Sequence, residues 1–367
     1  MNILVAMSGG VDSSVAAKLL VAGGNTCIGC TMKLYTNEDA GISRSHTCCS
    51  LDDVEDARSV AAKLHMPYYV FNFSEDFEEA VIGKFVRSYL AGRTPNPCID
   101  CNRYMKFDKL FARAQLLGCD HVATGHYARI EQENGKFVLK KALDPAKDQS
   151  YVLYAMTQEQ LAHTLFPLGA LDKTQTRRLA AESGFWNAEK PDSQDICFVP
   201  DGDYARIIEL HTGKKSEPGD FVDRTGRILG RHAGIIHYTV GQHRGLGLSL
   251  PEKRYVCRIC PESNTVVLGP LEELFSGGAR VSGMNWISGE APEGPIRCRV
   301  KTRYRQKEQP ALVTPLPDGG AEIRFDAPQR AVTPGQAAVL YDGDTVLGGG
   351  TIEAALDRAD EKGDLAE

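Results

Sequence analysis

A glycine- and serine-rich stretch near the N-terminus has the residue types and spacing of a phosphate-binding turn. Residues 8–14 read S-G-G-V-D-S-S, follow the apolar run Ile3–Ala6 and lead into residues of helical composition. Two glycines let the backbone approach a ligand closely, and the free amides at a helix start favour an anion. The G-x-x-x-x-G-K-[ST] spacing is absent here, so amides and serine hydroxyls are the predicted phosphate ligands. Asp12 is a candidate to cap the helix or to hold Mg²⁺.

Three cysteines lie in polar segments that leave a thiol available for chemistry. Cys98 and Cys101 form a C-x-x-C pair in residues 92–102, which contain two prolines and are predicted to be an irregular loop. Cys197 follows a polar run and is predicted to lie in a second loop. The chain has eleven cysteines, which in a cytosolic protein points to packing, metal or sulfur chemistry rather than to a disulfide framework. Two further C-x-x-C pairs are expected to pack within strands: Cys27/Cys30 and Cys257/Cys260.

Alternating strand and helix patterns predict the fold that positions these residues. Strands are expected at residues 3–6, 26–34, 68–73 and 121–124, with helices between them, including one capped by Ser50 and one over residues 75–90. Such β-α repeats indicate an α/β domain with a parallel sheet. Residues 35–49 are expected to form a polar loop, and residues 151–165 a helical segment.

Shorter, glycine-rich strands dominate after residue 200. We therefore predict an α/β domain over residues 1–200, a small β-rich domain over 201–275, a second β-rich domain over 276–356 and a disordered acidic tail over 357–367. In the last domain, cations occupy every second position from Arg297 to Lys307, which would place all six on one face of a single strand. Six aligned cations favour a polyanion such as an RNA backbone.

Composition and charge indicate where the protein acts and what kind of RNA site it can have. The 367 residues carry a net charge of −6, so any RNA site must be local. The N-terminus lacks a signal-peptide pattern and no apolar run is long enough to span a membrane, which predicts a cytoplasmic protein with no membrane partner.

The N-terminal turn resembles the pyrophosphate loop (PP-loop) of the N-type ATP pyrophosphatases. That resemblance implies that ATP is cut between its α and β phosphates and that an oxygen is adenylated. Adenylation makes a carbonyl oxygen a leaving group, which a thiolate or persulfide can then displace. Exposed cysteines together with such a loop suggest sulfur transfer, whereas an amide-forming enzyme acting on a small metabolite would leave the cysteines without a role.

Nearly the whole chain resembles the bacterial tRNA-specific 2-thiouridylases. The motifs that carry the resemblance are A-M-S-G-G-V-D-S-S at residues 6–14, T-P-N-P-x-x-x-C-N at 94–102, A-T-G-H-Y-A at 123–128, K-D-Q-S-Y at 147–151, S-Q-D-I-C-F at 193–198, Y-T-V-G-Q at 238–242, R-Y-R-Q at 303–306 and T-P-G-Q at 333–336. The resemblance implies an adenine nucleotide hydrolase-like domain, a small central domain and a C-terminal β-barrel. It also implies ATP-dependent thiolation at C2 of the wobble uridine in tRNAs for Lys, Glu and Gln.

The same resemblance implies a role for each matching residue. Cys197 would carry a persulfide received from a sulfur-relay protein or cysteine desulfurase, and Cys101 would be the nucleophile that forms a transient disulfide with it. ATP, with Mg²⁺, would contact Ala6, Met7, Ser8, Gly9, Gly10, Val11, Asp12, Ser13, Met32 and Gly125. The tRNA would contact Asn96, Pro97, Cys98, His126, Lys147, Asp148, Gln149, Arg303, Tyr304 and Gln336.

Cys98 departs from the family pattern, in which many members carry an Asp that has been assigned as a general base. The carboxylate is here either moved to Asp100 or absent. Cys98, Cys101 and Cys197 could instead hold a [4Fe–4S] cluster with one iron open to sulfide. A persulfide relay and a cluster-bound sulfide are therefore both expected alternatives.

Overall fold

The computed structural model describes residues 1–36, 51–191 and 196–357. The predicted loop at residues 35–49, apart from its first two residues, lies outside the described residues, as do the Ser50 cap and almost all of the predicted acidic tail. None of the described helices combines the length and apolar character that crossing a bilayer requires.

A five-stranded parallel sheet forms the centre of the N-terminal region, as predicted. Its order is β3-β2-β1-β4-β7, and every neighbouring pair is parallel. Two further strands of this region, β5 and β6, pair with each other instead. The strands are β1 (Asn2–Ala6), β2 (Thr26–Lys33), β3 (Tyr68–Asn72), β4 (His121–Ala123), β5 (Ala128–Glu133), β6 (Lys136–Lys141) and β7 (Thr164–Leu165).

Helices cover both faces of this sheet and create two apolar cores. Alternation along β1 sends Leu4 into one core and Ile3 and Val5 into the other. Cys27 and Cys30 are buried in opposite cores, which confirms that they are packing residues on opposite faces of β2. The helical segments are Val11–Ala22, Leu51–Lys63, Ser74–Phe77, Glu78–Ile82 (π), Gly83–Leu90, Pro97–Asp100, Cys101–Lys109 (π), Leu110–Leu116, Ser150–Leu153 (3₁₀), Gln158–Ala162, Lys173–Glu182, Trp186–Glu189 (3₁₀) and Tyr204–Thr212.

The segment that carries Cys98 and Cys101 is helical, so the predicted irregular loop is wrong from Pro97 onward. Asn96 is the N-cap and its side chain accepts a hydrogen bond from the Cys98 backbone amide at 3.2 Å, while Pro97 occupies the first helical position. Asn followed by Pro is a strong helix start, because the amide that proline lacks would have no partner there. Cys98 therefore lies in the first helical turn and Cys101 begins the π-helical turn Cys101–Lys109.

The single helical segment predicted over residues 151–165 is also wrong. A 3₁₀ turn, Ser150–Leu153, precedes the short helix Gln158–Ala162. Thr157 and Gln160 form a reciprocal capping box that starts this helix, and β7 follows it directly to complete the parallel sheet.

The central region contains a four-stranded sheet of order β10-β11-β8-β9. Its strands are β8 (Gly219–Val222), β9 (Ile228–His232), β10 (Tyr255–Cys260) and β11 (Thr265–Gly269), with 3₁₀ turns at Ile235–His237, Pro261–Ser263 and Leu271–Leu274. Buried residues on these strands, among them Phe221, Val256 and Leu268, form a separate small core.

The C-terminal region is a closed six-stranded β-barrel, as predicted. Its order is β12-β15-β14-β13-β16-β17, and β12 pairs with β17 to close it. The strands are β12 (Phe275–Trp286), β13 (Ile296–Lys301), β14 (Gln309–Pro315), β15 (Ala321–Arg330), β16 (Ala337–Asp342) and β17 (Thr345–Leu356). The β5–β6 hairpin leaves the first region and attaches to this barrel through the Thr345–Lys140 pairing, a connection that local sequence patterns do not reveal.

The predicted cationic face does not form on a single strand. Strand β13 ends at Lys301, and residues 302–306 turn. On the strand itself, Arg297 is paired with Asp326 and Arg299 with Glu308. Three of the six cations therefore lie on strand β13, as the period of two predicted. The other three come after the strand has ended, because the T-R-Y-R segment forms a turn towards the other domains.

Candidate active site

The glycine- and serine-rich turn joins β1 to the helix Val11–Ala22, and Gly10 is the N-cap of that helix. Among the residues that the structure describes, no side chain caps it, so the first helical amides are candidates to bind an anion. Ser13 and Ser14 both direct their hydroxyls to the Gly10 carbonyl at 3.0 Å, and the Ser8 amide donates to the Ser13 hydroxyl. The Ser13 and Ser14 hydroxyls therefore shape the turn in this structure, and the amides remain the candidate phosphate ligands.

Two glycines are required by close backbone approaches around this turn. Gly9 has a φ of +74°, and a Cβ there would collide with the Asp53 carbonyl oxygen. A Cβ on Gly125 would lie 2.7 Å from the Ser13 backbone nitrogen. The A-T-G-H-Y segment after β4 thus packs directly on the first turn of the helix.

Asp12 does not cap the helix, which corrects one of its two predicted roles. Its two carboxylate oxygens accept hydrogen bonds from the Lys173 ammonium at 2.7 and 2.8 Å. The Tyr127 hydroxyl donates to the same carboxylate at 2.8 Å. Asp12 nevertheless lines the cleft described below, so its carboxylate remains a candidate for Mg²⁺.

Residues that the sequence analysis missed hold this turn from behind. The Asn187 side-chain amide donates to the Gly9 carbonyl at 2.9 Å and to the Ser14 hydroxyl at 3.0 Å. Lys190 bridges Asp53 and Asp56 at 2.5 and 2.7 Å. No sequence signal singles out Asn187, because its contacts are to residues more than 170 positions away.

A cleft of about 900 Å³ lies between this turn and the C-terminal barrel. One wall is formed by the phosphate-binding turn, and the other by β13 and the turn after it. Among the residues that line it are Ser8, Gly10, Val11, Asp12, Lys147, Asp148, Gln149, Arg299, Lys301, Tyr304, Arg305 and Lys307. The structure therefore brings residues predicted to bind ATP and residues predicted to bind tRNA to one cavity.

Three further predicted nucleotide contacts lie on or directly after strands β1 and β2 of the parallel sheet. Ala6 ends β1, and Met7 is buried with its backbone amide bonded to the Cys30 carbonyl at 2.7 Å. Met32 lies near the carboxyl end of β2, the edge at which open α/β sheets place ligands.

The two cysteines predicted to transfer sulfur pack against the same one of the two apolar cores of the N-terminal region. Cys101 and Cys197 are half-buried, and both pack against the core cluster that contains Phe77, Phe85 and Phe198. The Cys197 carbonyl accepts a hydrogen bond from the Tyr35 hydroxyl at 2.6 Å. Cys98, by contrast, is exposed.

The predicted three-thiolate cluster site is not assembled in this structure. Within residues 1–36, 51–191 and 196–357, no three His, Cys, Asp or Glu side chains are grouped closely enough to hold a metal ion. Asp100, the alternative carboxylate, is buried and bonds Lys84 at 2.6 Å. Burial raises the pKa of the Asp100 carboxyl, and the Lys84 ammonium opposes that rise.

Lys106 provides positive charge near Cys101. Burial raises the pKa of the Cys101 thiol, and the Lys106 ammonium counteracts this effect. The Lys106 nitrogen also lies 3.5 Å from His126 Nε2. Burial, together with Lys106, holds the pKa of His126 well below its ordinary value, so the imidazole is neutral. The other ring nitrogen, Nδ1, is 2.7 Å from the Thr124 hydroxyl.

The residues predicted to contact tRNA fall into two groups. Lys147, Asp148, Gln149 and Tyr304 line the cleft, and the Tyr304 hydroxyl donates to the Asp148 carbonyl at 3.2 Å. Burial raises the pKa of Tyr304, and Asp148 and Cys98 raise it further.

The second group makes contacts within the protein. Pro97 and His126 are buried. The Arg303 guanidinium donates to the carbonyls of Val240 and Ala331, both at 3.0 Å, and to the Thr333 hydroxyl at 2.7 Å. Direct contact of these side chains with tRNA remains a prediction.

Family profiles match three successive parts of the chain. The profile of the family described as tRNA methyl transferase HUP domain matches residues 1–201. The tRNA methyl transferase PRC-barrel domain matches residues 207–270, and the aminomethyltransferase beta-barrel domain matches residues 276–352. The chain is 52% identical to the tRNA-specific 2-thiouridylase MnmA of Acetivibrio thermocellus over 356 residues, which cover 96% of this chain and 99% of the relative. It is 51% identical to the protein of the same name from Geotalea uraniireducens, with 97% and 96% covered.

Proposed function

The chain belongs to the family of tRNA-specific 2-thiouridylases, and we propose that it uses ATP to replace the C2 oxygen of the wobble uridine with sulfur in tRNAs for Lys, Glu and Gln. The supporting observation is the cleft itself. It joins a turn at a helix start, which no described side chain caps, to a barrel wall rich in Lys and Arg, so a nucleotide phosphate and an RNA strand can meet there.

The first step would be activation of the base. The C2 oxygen of the uridine attacks the α-phosphorus of ATP, the α–β phosphoanhydride bond breaks, and pyrophosphate leaves. The amides at the start of the helix Val11–Ala22 would bind the departing phosphates, and Asp12 with those phosphates would hold Mg²⁺. The uridine oxygen then carries AMP, which is a good leaving group.

The second step would be sulfur transfer. The terminal sulfur of a Cys197 persulfide attacks C2, AMP leaves, and the uridine is joined to Cys197 through two sulfurs. The Cys101 thiolate attacks the Cys197 sulfur, so the S–S bond to the uridine breaks and its electron pair stays on the thiouridine. A Cys101–Cys197 disulfide remains, which a dithiol reductant must reduce, and a cytoplasmic cysteine desulfurase or sulfur-relay protein must reload Cys197. The common core cluster on which both cysteines pack supports their pairing.

The test is reconstitution with purified chain, Mg·ATP, a cysteine desulfurase with cysteine, and an unmodified tRNA-Lys transcript. We expect 2-thiouridine by nucleoside mass spectrometry, AMP release that depends on tRNA, and a Cys101–Cys197 disulfide trapped during turnover. Cys101→Ser and Cys197→Ser should abolish thiolation, whereas the control Cys260→Ser, in strand β10 of the central sheet, should not.

Three results would contradict this proposal. AMP formation that is driven by a small amino acid without tRNA would favour the metabolite-ligase alternative. Thiolation that needs iron, acid-labile sulfide and Cys98 in anaerobically purified protein would favour the cluster-bound sulfide instead. Full thiolation by Cys197→Ser would exclude the persulfide route.

A further inference from the structure

Asn187 is a buried amide that no step of the sulfur transfer uses. The residue is 1% exposed, and among the described residues its Oδ1 atom has no hydrogen-bond partner. Its Nδ2 atom, in contrast, makes two hydrogen bonds to the phosphate-binding turn, to the Gly9 carbonyl and the Ser14 hydroxyl. Both hydrogen bonds of the Asn187 side chain are thus donated by its NH₂ group, and both acceptors belong to the phosphate-binding turn. This arrangement is consistent with a role in holding that turn.

The direction of each hydrogen bond in this network can be assigned. The Ser14 hydroxyl gives its only hydrogen to the Gly10 carbonyl, so it must accept from Asn187. The Gly9 carbonyl can only accept, so Nδ2 rather than Oδ1 of Asn187 faces it. Asn187 therefore holds the Gly9 carbonyl directly, and through the Ser14 hydroxyl it supports the Gly10 carbonyl, which also accepts from the Ser13 hydroxyl and the Ser14 amide.

Holding a carbonyl fixes the amide on the other side of the same peptide plane. A trans peptide directs its C=O and N–H in opposite directions, and the chain has no cis peptide bond in the described residues. With the Gly9 and Gly10 carbonyls turned towards the interior, the amide hydrogens of Gly10 and Val11 are turned the other way. Gly10 and Val11 both line the cleft.

The segment that carries Asn187 is itself well anchored. Phe185 is buried in a core of the N-terminal region. Arg177 donates to the Ala188 carbonyl at 2.9 Å and to the Lys190 carbonyl at 3.2 Å, and the Lys190 side chain bonds Asp53. The 3₁₀ turn Trp186–Glu189 is thus a rigid support for the Asn187 amide.

We propose that Asn187 is a positioning residue that orients the Gly10 and Val11 amides towards the nucleotide phosphates by holding the carbonyls of Gly9 and Gly10. This inference rests on the proposed ATP site and adds a determinant of phosphate affinity to it. Asn187 is buried and is not among the residues that line the cleft, so its effect would be transmitted through the turn.

The test compares Asn187→Leu, which keeps the branched shape without the donors, with Asn187→Asp, which replaces the donor with an acceptor. Isothermal titration calorimetry measures Mg·ATP and adenosine binding to the full chain. A hydrogen bond to a charged acceptor corresponds to about ten- to a hundredfold in affinity, so we expect Mg·ATP to bind at least about tenfold more weakly to both variants. Adenosine, which has no phosphate, should bind within about twofold of the native protein.

Asn285→Leu is the matched control. Asn285 likewise donates to two carbonyls, those of Tyr154 and Met156 at 2.7 and 3.0 Å, but lies away from the turn. It should lower the melting temperature and leave Mg·ATP affinity unchanged. If Asn187→Leu binds Mg·ATP like the native chain, or loses ATP and adenosine equally, the positioning role is wrong while the ATP site stands. If the native chain itself does not bind Mg·ATP, both the ATP site and this inference are wrong.

Discussion

The Gln336 side-chain amide donates to the Thr94 carbonyl at 2.8 Å, although the two residues are 242 positions apart. The Thr94 amide in turn donates to the Pro334 carbonyl at 2.9 Å. Asn96, the cap of the helix that carries Cys98 and Cys101, lies two residues further on. The T-P-G-Q loop of the barrel therefore holds the start of the cysteine-bearing helix.

Substitution of Gln336 by Leu should loosen this connection. It removes the donor to Thr94 and leaves that carbonyl without its side-chain partner, so we expect the free energy of unfolding to fall by about 1 kcal/mol in a urea titration. We also expect slower tRNA thiolation at saturating tRNA. Gln309→Leu is the control, because the Gln309 side chain donates to the carbonyl of Lys307, which is only two residues away in sequence. Equal stability of the two variants would show that the Thr94 contact contributes nothing.

Arg303 and Arg305 should behave oppositely when each is replaced by Met. Arg303 donates to three oxygens from the central region and the barrel, so its loss should lower the free energy of unfolding by about 2–3 kcal/mol. Arg305 is exposed in the cleft, and its loss should leave stability within about 0.5 kcal/mol. It should instead weaken tRNA binding and reduce the slope of log K against log salt concentration by about 1. Filter binding across salt concentrations and thermal melting together check both expectations, and a stable Arg303→Met variant would refute the first.

Local patterns were sufficient for four of the five strands of the parallel sheet and for the turn at residues 8–14, whereas β7 lies where a helical segment was predicted. Apolar runs and helical periods are encoded by neighbours in sequence, so β1 to β4 and the helices between them could be read directly. The helical start at Asn96-Pro97 carried a readable signal that the loop prediction overlooked. The sequence therefore contained the information needed to predict this helix.

The features that the sequence did not predict depend on contacts between residues that are far apart in the chain. The attachment of β5 and β6 to the barrel depends on contacts between residues about 200 positions apart, such as the Thr345–Lys140 pairing and the Lys141 amide bond to the Asp344 carbonyl, and no local pattern indicates them. The inward turn of Arg303 likewise depends on oxygens that the central region and the barrel supply, so a period of two along the chain misplaced it. Asn187 was missed for the same reason.

Gly125→Ala should disturb the phosphate-binding turn without touching any charge. The added Cβ would lie 2.7 Å from the Ser13 nitrogen and 2.8 Å from the Asp12 carbonyl carbon, so the first turn of the helix must shift. Such overpacking costs about 1–3 kcal/mol, and Mg·ATP affinity should fall with it. Gly294→Ala, where a Cβ meets nothing within 4 Å, is the control and should match the native protein in melting temperature and in titration calorimetry. Native ATP affinity in Gly125→Ala would mean that this close approach is not needed for binding.

The π-helical turn Cys101–Lys109 gives Lys106 its relation to Cys101. In an α-helix, residues five apart lie on different faces, whereas the i to i+5 hydrogen bonding of a π-turn brings them to the same face. Burial raises the pKa of the Cys101 thiol and Lys106 lowers it, so removal of Lys106 should raise that pKa further. Because only the thiolate is alkylated, Lys106→Met should move the pH profile of Cys101 alkylation to higher pH and slow the reaction several-fold at neutral pH.

This profile can be measured on the Cys101 peptide by mass spectrometry after timed exposure to iodoacetamide between pH 6 and 10, a range about the ordinary thiol pKa. Lys106→Arg keeps the charge and should retain most of the native rate. Lys109→Met, on the same helical turn, removes a lysine that is paired with Asp76 at 2.7 Å and should leave the profile in place. A loss of rate common to Lys106→Met and Lys109→Met would point to damage of the helix. An unmoved profile in Lys106→Met would mean that the Lys106 charge does not lower the pKa of Cys101.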